Sequence, residues 1–522
     1  MSRLDLHPMC TLANLLAAWQ ELGLTETKLH ISQPEQGISH LSLDTRTLQD
    51  GGAFIALQGH HLDGHDFIAQ SVQQGAALIL CENLSFVTSA HAKSINYLCH
   101  PQLRHYLGPW ISQLLQHPSQ KLTECVGITG TNGKSSISHF LAQAWHALGY
   151  KAYVCGTLGQ GEPHTLTPNS HTTPDALQVQ AFFAHCQQQQ VSHVAMEVSS
   201  HALDQARVAG VAFTSALFTN LSRDHLDYHL SMQAYAQAKA RLFAYPSLRH
   251  RIFNLADVQG YQLWQTYQAK EKRSQKSTWG YSLEVHPQAD ICAQAIGYTT
   301  QGLQAQVLYQ GQSYPLHLKL FGRFNLENAL ACLCVLLAEG TSIECALQAL
   351  TQIQGVHGRM QALTALPAQA PQVLIDYAHT PDALQQALKA VRLHAPACAR
   401  IWCIFGCGGD RDKGKRPLML QAAQNFADQV VVTDDNPRFE DPQAIIADIL
   451  AQQAQCQPVP LVIHERAQAL AYVLDQADPQ DWVLVAGKGH ETYQEISGVR
   501  YPYDDAQQIY AYYQQVAIHK SL

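Results

Sequence analysis

The sequence has no apolar run long enough to span a bilayer, which argues against a helical membrane protein. It has no excess of positive charge. Lys plus Arg number 33 against 41 Asp plus Glu, a formal net charge of −8. No global field therefore draws in nucleic acid, and any anion site must be a local basic cluster. The 14 cysteines form no C-x-x-C pair and no regular spacing; most sit among apolar neighbours, as Cys81, Cys125, Cys332 and Cys334 do. They read as reduced core thiols of a cytoplasmic protein. Residues 1–24 lack a basic stretch followed by an apolar core, so no signal peptide is expected there. There is no internal repeat, and the one glutamine-rich piece, Gln187–Gln190, is short enough to read as solvated surface. What remains is an ordinary globular composition, 46% hydrophobic and 14% charged. A chain of 522 residues, at a prior of roughly 150 per domain, is expected to form about three domains.

The stretch that organises the rest is Cys125-Val-Gly-Ile-Thr-Gly-Thr-Asn-Gly-Lys-Ser-Ser136. A short β-branched run stops at a glycine-punctuated turn, and a helical pattern opens at about Ser135. Gly127, Gly130 and Gly133 let the backbone approach a bulky anion. The helix start offers unpaired N–H groups and the positive end of its dipole. Lys134 adds a charge for phosphate, and the Ser135 hydroxyl suits Mg²⁺. The spacing departs from G-x-x-x-x-G-K-[ST], since Gly130 is only three residues before Gly133. A chance turn would explain a lone Gly-Lys-Ser about as well. The strand–loop–helix context favours a nucleotide phosphate site at Gly130, Thr131, Asn132, Gly133, Lys134, Ser135 and Ser136.

The fold class expected is α/β, with domains at 1–105, 106–354 and 355–522. The first shows a small α/β pattern, with strands at Phe54–Leu57 and Ala77–Cys81 around a helix. Its polar turns at Asp44–Arg46 and His60–Asp63 suit a ribose, uracil or pyrophosphate, or are plain surface turns. The second alternates strands at Val126–Thr129, Ala152–Cys155, Val191–Val198, Thr214–Thr219 and Arg251–Leu255 with helices, as a mainly parallel sheet requires. A meander of short strands follows over 280–320, then an apolar helix over Phe324–Leu337. The third repeats strand and helix with strands at Val373–Tyr377, Ile401–Phe405, Gln429–Thr433, Pro460–Ile463 and Trp482–Ala486, each followed by a helix: a doubly wound domain.

In open parallel sheets ligands bind beyond the carboxyl ends of the strands. Six polar clusters fall at such ends: 196–201, 219–225, 376–379, 406–411, 434–438 and 487–491. Any one of them is ordinary loop polarity; six together are not. Glu197 is a hard oxygen donor for Mg²⁺. His225 is a less usual ligand for that ion and would more often be a hydrogen-bonding loop residue. Lys239 shares a helix face with Tyr235, Leu242 and Phe243. It either snorkels outward along the stripe, which periodicity alone favours, or is held inward with a lowered pKa as a neutral, nucleophilic amine able to capture CO₂ as a carbamate.

Taken together, Gly130-Thr-Asn-Gly-Lys134, His171-Thr-Thr-Pro-Asp175, Glu197-Val-Ser-Ser-His201, Asn220-Leu-Ser-Arg-Asp-His225, Asn325-Leu-Glu-Asn328, His357-Gly-Arg359 and Asp376-Tyr-Ala-His379 resemble, in order and over nearly the whole chain, the Mur ligases, ATP-dependent amide-bond ligases of peptidoglycan synthesis. The resemblance implies an N-terminal UDP-substrate-binding domain, a central ATPase and a C-terminal Rossmann-like, amino-acid-binding domain in a monomeric cytoplasmic enzyme. It implies UDP-substrate contacts from Leu43, Thr45, His60, His61, Leu62, His171, Thr172, Thr173, Ser199, Gln205 and Arg207. ATP would be met by the phosphate loop and by Asn328, Arg359, Asp376 and His379. Mg²⁺ would be held by Ser135, Glu197, His225 and Lys239 as its N6-carboxy form, which reverses the preference from periodicity. Lys134, Glu197, His225 and Lys239 would be catalytic. Asp435-Asn-Pro-Arg438 resembles the signature of family members that add meso-2,6-diaminopimelate; lysine-adding relatives carry another sequence there. Arg411, Asp435, Asn436, Pro437, Arg438, Gly487 and Glu491 would hold that amino acid. This chain departs from the family pattern at Ser135 (usually Thr), His171 (usually Asn) and His357 (commonly Pro).

The implied reaction joins the amino acid to the D-glutamate of UDP-N-acetylmuramoyl-L-alanyl-D-glutamate through an acyl phosphate. Rival readings are a lysine-adding relative, a folylpolyglutamate synthase and a nucleotide-gated binding module without turnover. The extra N-terminal domain and Asp435-Asn-Pro-Arg438 disfavour the second. A nucleic-acid-dependent ATPase lacks a basic stripe, the densest cluster being Arg411-Asp-Lys-Gly-Lys-Arg416 with a carboxylate inside it.

Overall fold

A computed structural model of the chain describes residues 3–59, 62–86, 95–169, 171–271, 277–451 and 458–521, with only the backbone at 270, 271 and 518–521. The chain divides into two units. One comprises Met1–Tyr281 and Ala331–Cys345, the other Ser282–Leu330 and Ala346–Leu522. The fold class is the α/β one expected, with mostly parallel sheets.

The first unit holds two sheets. The N-terminal one orders its strands Arg3–Asp5, His40–Ser42, Ala53–Ala56, Leu78–Cys81, Tyr97–Cys99 and Lys28–His30. The middle pairings are parallel and the two edges antiparallel. Helix Leu12–Gln20 packs on it, started by a reciprocal cap between Thr11 and Asn14. Helix Leu103–Leu114, with Pro109 inside it, joins the same core through Leu107, Trp110 and Ile111 and has no counterpart among the sequence expectations.

The larger sheet of this unit runs Ser277–Ser282, His250–Asn254, Ser215–Phe218, Glu124–Thr129, His193–Glu197, Ala152–Gly156 and Gly159–Gly161. All its pairings are parallel except the last hairpin. Helices cover both faces, so the strands are apolar on both sides: every residue of Glu124–Thr129 is buried. Gly127 departs from the loop role expected of it. It lies inside this strand, where a side chain would meet Phe213 and Leu242 at 3.1 Å.

In the second unit Ile291–Thr299, Gly302–Tyr309 and Gln312–Leu318 form the expected antiparallel meander. Its sheet orders Gln361–Ala362, Gln372–Asp376, Trp482–Ala486, Ile401–Phe405, Gln429–Val432 and Leu461–Val462, parallel except at the first edge. Alternate residues feed two cores: Leu374, Cys403, Val430 and Leu484 on one face, Ile375, Ile404, Val431 and Val485 on the other. The strand last in sequence, Trp482–Ala486, is inserted between the first two long ones. It is not followed at once by a helix as expected; a hairpin, Tyr493–Ile496 with Val499–Pro502, precedes helix Asp505–Ser521. Among the described residues no helix is long and apolar enough to cross a membrane.

Candidate active site

The phosphate-loop candidate lies between strand Glu124–Thr129 and helix Lys134–Ala147. Gly130 (φ +146°) and Gly133 (φ +88°) take conformations that side chains resist, and a Cβ at Gly130 would strike Thr219 Oγ1. The helix begins at Gly133 without a side-chain cap, so its N-terminal dipole end faces the loop uncovered. The neighbouring strand end braces the loop. Thr131 N–H donates to Asn220 O at 2.8 Å, Asn132 N–H to Asn220 Oδ1 at 2.9 Å, and Thr219 Oγ1 to Asn132 O at 2.6 Å. Lys134 Nζ donates to the carbonyls of Gly130 and Thr131 at 2.9 and 2.8 Å.

Lys239 points inward, against the snorkelling that periodicity alone favoured. Its side chain is buried, its Nζ donates to Gly130 O at 2.7 Å, and it lies 4.5 Å from the centre of the Tyr235 ring. Two lysines therefore converge on one carbonyl oxygen of the loop. Burial first, then the charge of Lys134, holds the Lys239 amine well below the ordinary lysine range, with Asp224 opposing. Its helix runs over Met232–Ala240 and tightens into a 3₁₀ turn over Arg241–Ala244, so Leu242 and Phe243, expected on the same helix, lie in that turn. His225 caps the short helix Leu226–His229 in a left-handed conformation (φ 52°). Its half-exposed ring lies between His201 (4.9 Å) and Tyr235 (6.0 Å). Burial, with His225, His229 and Arg207, pushes His201 down to about 4.

Glu197 ends the strand next to the loop strand, in register with Ile128, and is buried. Both its oxygens are fixed by Thr157, whose N–H donates to Oε1 at 2.9 Å and whose hydroxyl donates to Oε2 at 3.0 Å. Gly156 leaves the space it fills, since a Cβ there would lie 2.1 Å from Glu197 Oε1. Among the described residues no three His, Cys, Asp or Glu converge as a metal cage. The donors present are one carboxylate, one hydroxyl (Ser135) and one imidazole. That set suits Mg²⁺, which uses one or two carboxylates and completes its octahedron with phosphate oxygens and water.

The residues expected around the UDP substrate separate into two places. His171, Thr172, Thr173, Ser199, Gln205 and Arg207 gather beside Glu197. Thr173 Oγ1 donates to Glu197 O at 2.9 Å and accepts from Ser199 N–H. Arg207 donates to Thr173 O (2.9 Å) and Gln205 Oε1 (2.6 Å), and the Thr157 and Thr172 hydroxyls meet at 3.1 Å, with Thr157 giving its proton to Glu197. His171 has an exposed surface, but partial desolvation of its ring, then Arg207, pushes it down. Leu43, Thr45 and Leu62 lie in turns that follow strands of the N-terminal sheet: Leu43 against its core, Thr45 buried, Leu62 71% exposed. His60 and His61 lie outside the described residues.

In the second unit the inserted strand Trp482–Ala486 brings loop 487–491 between loops 376–379 and 406–411. Asp435 and Asn436 are buried beside it. Asn436 donates to Glu491 Oε2 at 2.7 Å and its Oδ1 accepts from Lys488 Nζ at 3.0 Å. Burial, then Asp435, raises Glu491. Pro437 is buried, and Arg438 (φ 54°) donates through its guanidinium to Gly409 O at 2.8 Å. The exposed Arg411 shares the flank of Gly408 with Arg438, and Gly487 (φ +110°) leaves room for Asp435 Oδ2. One guanidinium, that of Arg438, thus acts on the Glu491 carboxylate, which Asp435 also faces. Asp376, pushed up to about 6 by burial with Arg359 opposing, accepts from Met360 N–H at 2.7 Å. Arg359 lies over the Tyr377 ring at 4.7 Å, and His379 Nδ1 meets Tyr377 O at 2.8 Å. Asn328 is buried and donates to Asn325 Oδ1 at 3.2 Å. His357 Nε2 stands 3.8 Å from Asp504 Oδ2.

Sequence reading missed Thr157 and Lys488. Nothing around Thr157 marks it, since its role comes from a hairpin that meets Glu197 forty residues on. Lys488 was visible as part of Gly487-Lys-Gly-His-Glu491, yet nothing in that stretch says that it is fully buried.

Family models match three segments: the Mur ligase family, catalytic domain over residues 37–111, the Mur ligase middle domain over 128–336, and the Mur ligase, glutamate ligase domain over 358–489. The chain is 45% identical to the UDP-N-acetylmuramoyl-L-alanyl-D-glutamate--2,6-diaminopimelate ligase of Chromobacterium violaceum, covering 90% of this chain and 92% of that one. It is also 45% identical to the protein of the same name from Ectopseudomonas mendocina, over 90% and 93%. A solved structure of a ligase of that name superposes with a TM-score of 0.69 at 35% identity, covering 94% of this chain and 97% of the other. With these likenesses over nearly its whole length, the chain belongs to the Mur ligase family.

Proposed function

We propose that this protein joins meso-2,6-diaminopimelate to the D-glutamate of UDP-N-acetylmuramoyl-L-alanyl-D-glutamate, with hydrolysis of ATP to ADP and phosphate, as a cytoplasmic monomer in peptidoglycan synthesis. The observation that carries the reading is the cluster around Asp435-Asn-Pro-Arg438. Asp435 and Glu491 offer carboxylates and Arg438 is a cation acting on Glu491, charges of both signs as an amino acid with two ammonium and two carboxylate groups requires; Arg411, on the flank of Gly408, would add a second guanidinium. The names of the similar enzymes support it.

The chemistry follows from the charges. A glutamyl carboxylate attacks the γ-phosphorus of ATP, ADP leaves, and an acyl phosphate forms. Repulsion between the two anions is the obstacle. Lys134 and the open helix end lower it by supplying positive charge on the phosphate side. Mg²⁺, held by Ser135, Glu197 and His225 together with a carbamate on Lys239, would add Lewis-acid charge there. A low Lys239 pKa supports the carbamate, because only a neutral amine takes up CO₂. The free amine of diaminopimelate then attacks the acyl carbon, the tetrahedral oxyanion collapses, the C–O bond breaks with its electron pair going to the departing phosphate, and the nitrogen's surplus proton passes to that phosphate. Thr172, Thr173, Ser199, Gln205 and Arg207 lie where they would hold the peptide arm beside Glu197.

Phosphate release is the test. Turnover is expected only with all three substrates, and with meso-diaminopimelate strongly preferred over L-lysine. Equal or better use of L-lysine, or no release at all, would overturn the reading.

A further inference from the structure

Lys488 is fully buried, at a position where a lone ammonium would be costly. Its Nζ donates to Asn436 Oδ1 at 3.0 Å and to Tyr493 O at 2.7 Å, and lies 3.3 Å from Asp435 Oδ1 and 3.8 Å from Glu491 Oε2. The Tyr493 and Tyr503 rings stand at 5.9 and 5.8 Å. The contacts to Asn436 are what make this more than a core ion pair. With Nζ and the Glu495 N–H (2.9 Å) both donating to Oδ1, the amide can turn in one sense only, and its NH₂ is delivered to Glu491. Gln494 donates to Asp435 O at 2.8 Å, and the Arg438 N–H to Glu495 O at 2.9 Å. One lysine therefore ties loop 434–438 to loop 487–491 and to the hairpin beyond it.

We propose that Lys488 is a positioning residue of the amino-acid site, holding Asp435, Asn436 and Glu491 in one arrangement. The inference rests on the diaminopimelate assignment above. Two buried carboxylates at this spacing repel, and Glu491 is already raised by burial and by Asp435, with Lys488 the first group opposing. The other charged or titratable groups facing the two carboxylates or Lys488 are Arg438, Arg466, Tyr377, His379, Cys407, Tyr493 and Tyr503. Without Lys488, Glu491 retains its proton to higher pH, and the site loses an anion for a substrate ammonium just as the Asn436 amide loses its fixed sense.

The test is Lys488→Met, assayed by phosphate release over pH 6–9 with each substrate varied. KM for diaminopimelate should rise roughly tenfold or more. The acid limb of its kcat/KM profile should move up by about one pH unit. KM for ATP and for the UDP substrate should stay within about twofold. Equal rises in all three KM values with an unmoved pH profile, or no change at all, would overturn the proposal. If Lys488→Met does not fold, Lys488→Gln keeps a donor for Asn436 without the charge and must still move the acid limb; an unmoved limb overturns it. If wild-type enzyme releases no phosphate with diaminopimelate, the functional reading fails separately. Crystal structures of the two proteins then decide on Lys488: displaced Asn436 and Glu491 in the variant support it, superposable loops refute it.

Discussion

Gly156→Ala tests whether the position of Glu197 matters to the chemistry. The new methyl would sit 2.1 Å from Glu197 Oε1, 2.6 Å from its Cδ and 2.7 Å from its Cγ. Carbon atoms settle at about 3.5–4.0 Å, so the side chain must withdraw by roughly 1 Å along most of its length. It cannot do so and keep both bonds from Thr157, because the Thr157 N–H is on the residue next to the new methyl. Overpacking of this kind costs about 1–3 kcal/mol of stability. A misplacement of about 1 Å at a reacting centre costs on the order of 10²-fold in rate. The assay is ADP release with Mg²⁺ varied. The expected result is kcat lowered by about two orders of magnitude and half-activation at higher Mg²⁺, with KM for diaminopimelate within about twofold. Gly297→Ala is the control, since the nearest atom to its Cβ is 3.8 Å away; it should behave as wild type. A Gly156→Ala enzyme with wild-type kcat and wild-type Mg²⁺ dependence would refute a catalytic role for the Glu197 carboxylate.

Lys239→Ala should lose on the order of 10²-fold or more in kcat and recover part of it with added short carboxylic acids, which replace the carbamate oxygens; full activity without them removes the carbamate from the mechanism. Arg438→Ala should raise KM for diaminopimelate by roughly 30-fold or more and leave the KM values for ATP and the UDP substrate nearly unchanged; a uniform loss contradicts the assignment. Glu339→Gln should alter the pH dependence of stability. Trp145 Nε1 donates to Glu339 Oε2 at 3.0 Å while Oε1 is buried without a partner, and burial, then Glu124, pushes the carboxyl well above the usual carboxylate range. The folded state thus retains a proton that the unfolded chain releases, so this stabilisation is complete below the ordinary glutamate range and is lost as pH rises toward the raised value. The glutamine variant should melt higher than wild type at pH 8, with the gap closing toward pH 5; parallel melting curves across that range would contradict it.

Much of the fold was legible because parallel sheets buried on both faces force continuous apolar strands, and chemistry then collects where those strands stop. Glu197, Asp376 and Gly487 each follow such a run, and so does the phosphate loop. What was not legible depends on contacts far apart in sequence. The strand order in the second unit, with Trp482–Ala486 inserted beside Gln372–Asp376, cannot be read from alternation, yet it is what brings Glu491 to Asn436. The direction of Lys239 is decided by a carbonyl 109 residues earlier, so helical periodicity could name its neighbours Tyr235 and Leu242 but not its hydrogen bond. Helix Leu103–Leu114, with Pro109 inside it, had no counterpart in the sequence reading.

Three lysines show how far burial and company, not residue type, set chemistry here. Lys134 stands on the open end of a helix with loop carbonyls as its partners, so its donors can be traded for phosphate oxygens at little cost. Lys239 is buried against an aromatic ring, with another lysine as its strongest charged neighbour and one carboxylate, Asp224, opposing more weakly; neutrality is the cheaper state, and a neutral amine is a nucleophile. Lys488 is buried as deeply, but between two carboxylates and an amide oxygen, where an ammonium offsets their repulsion. Exchanging the surroundings of the last two would exchange their roles. That is why Arg at 239 should fail even though it keeps a cation there, since guanidinium neither gives up its proton nor takes up CO₂.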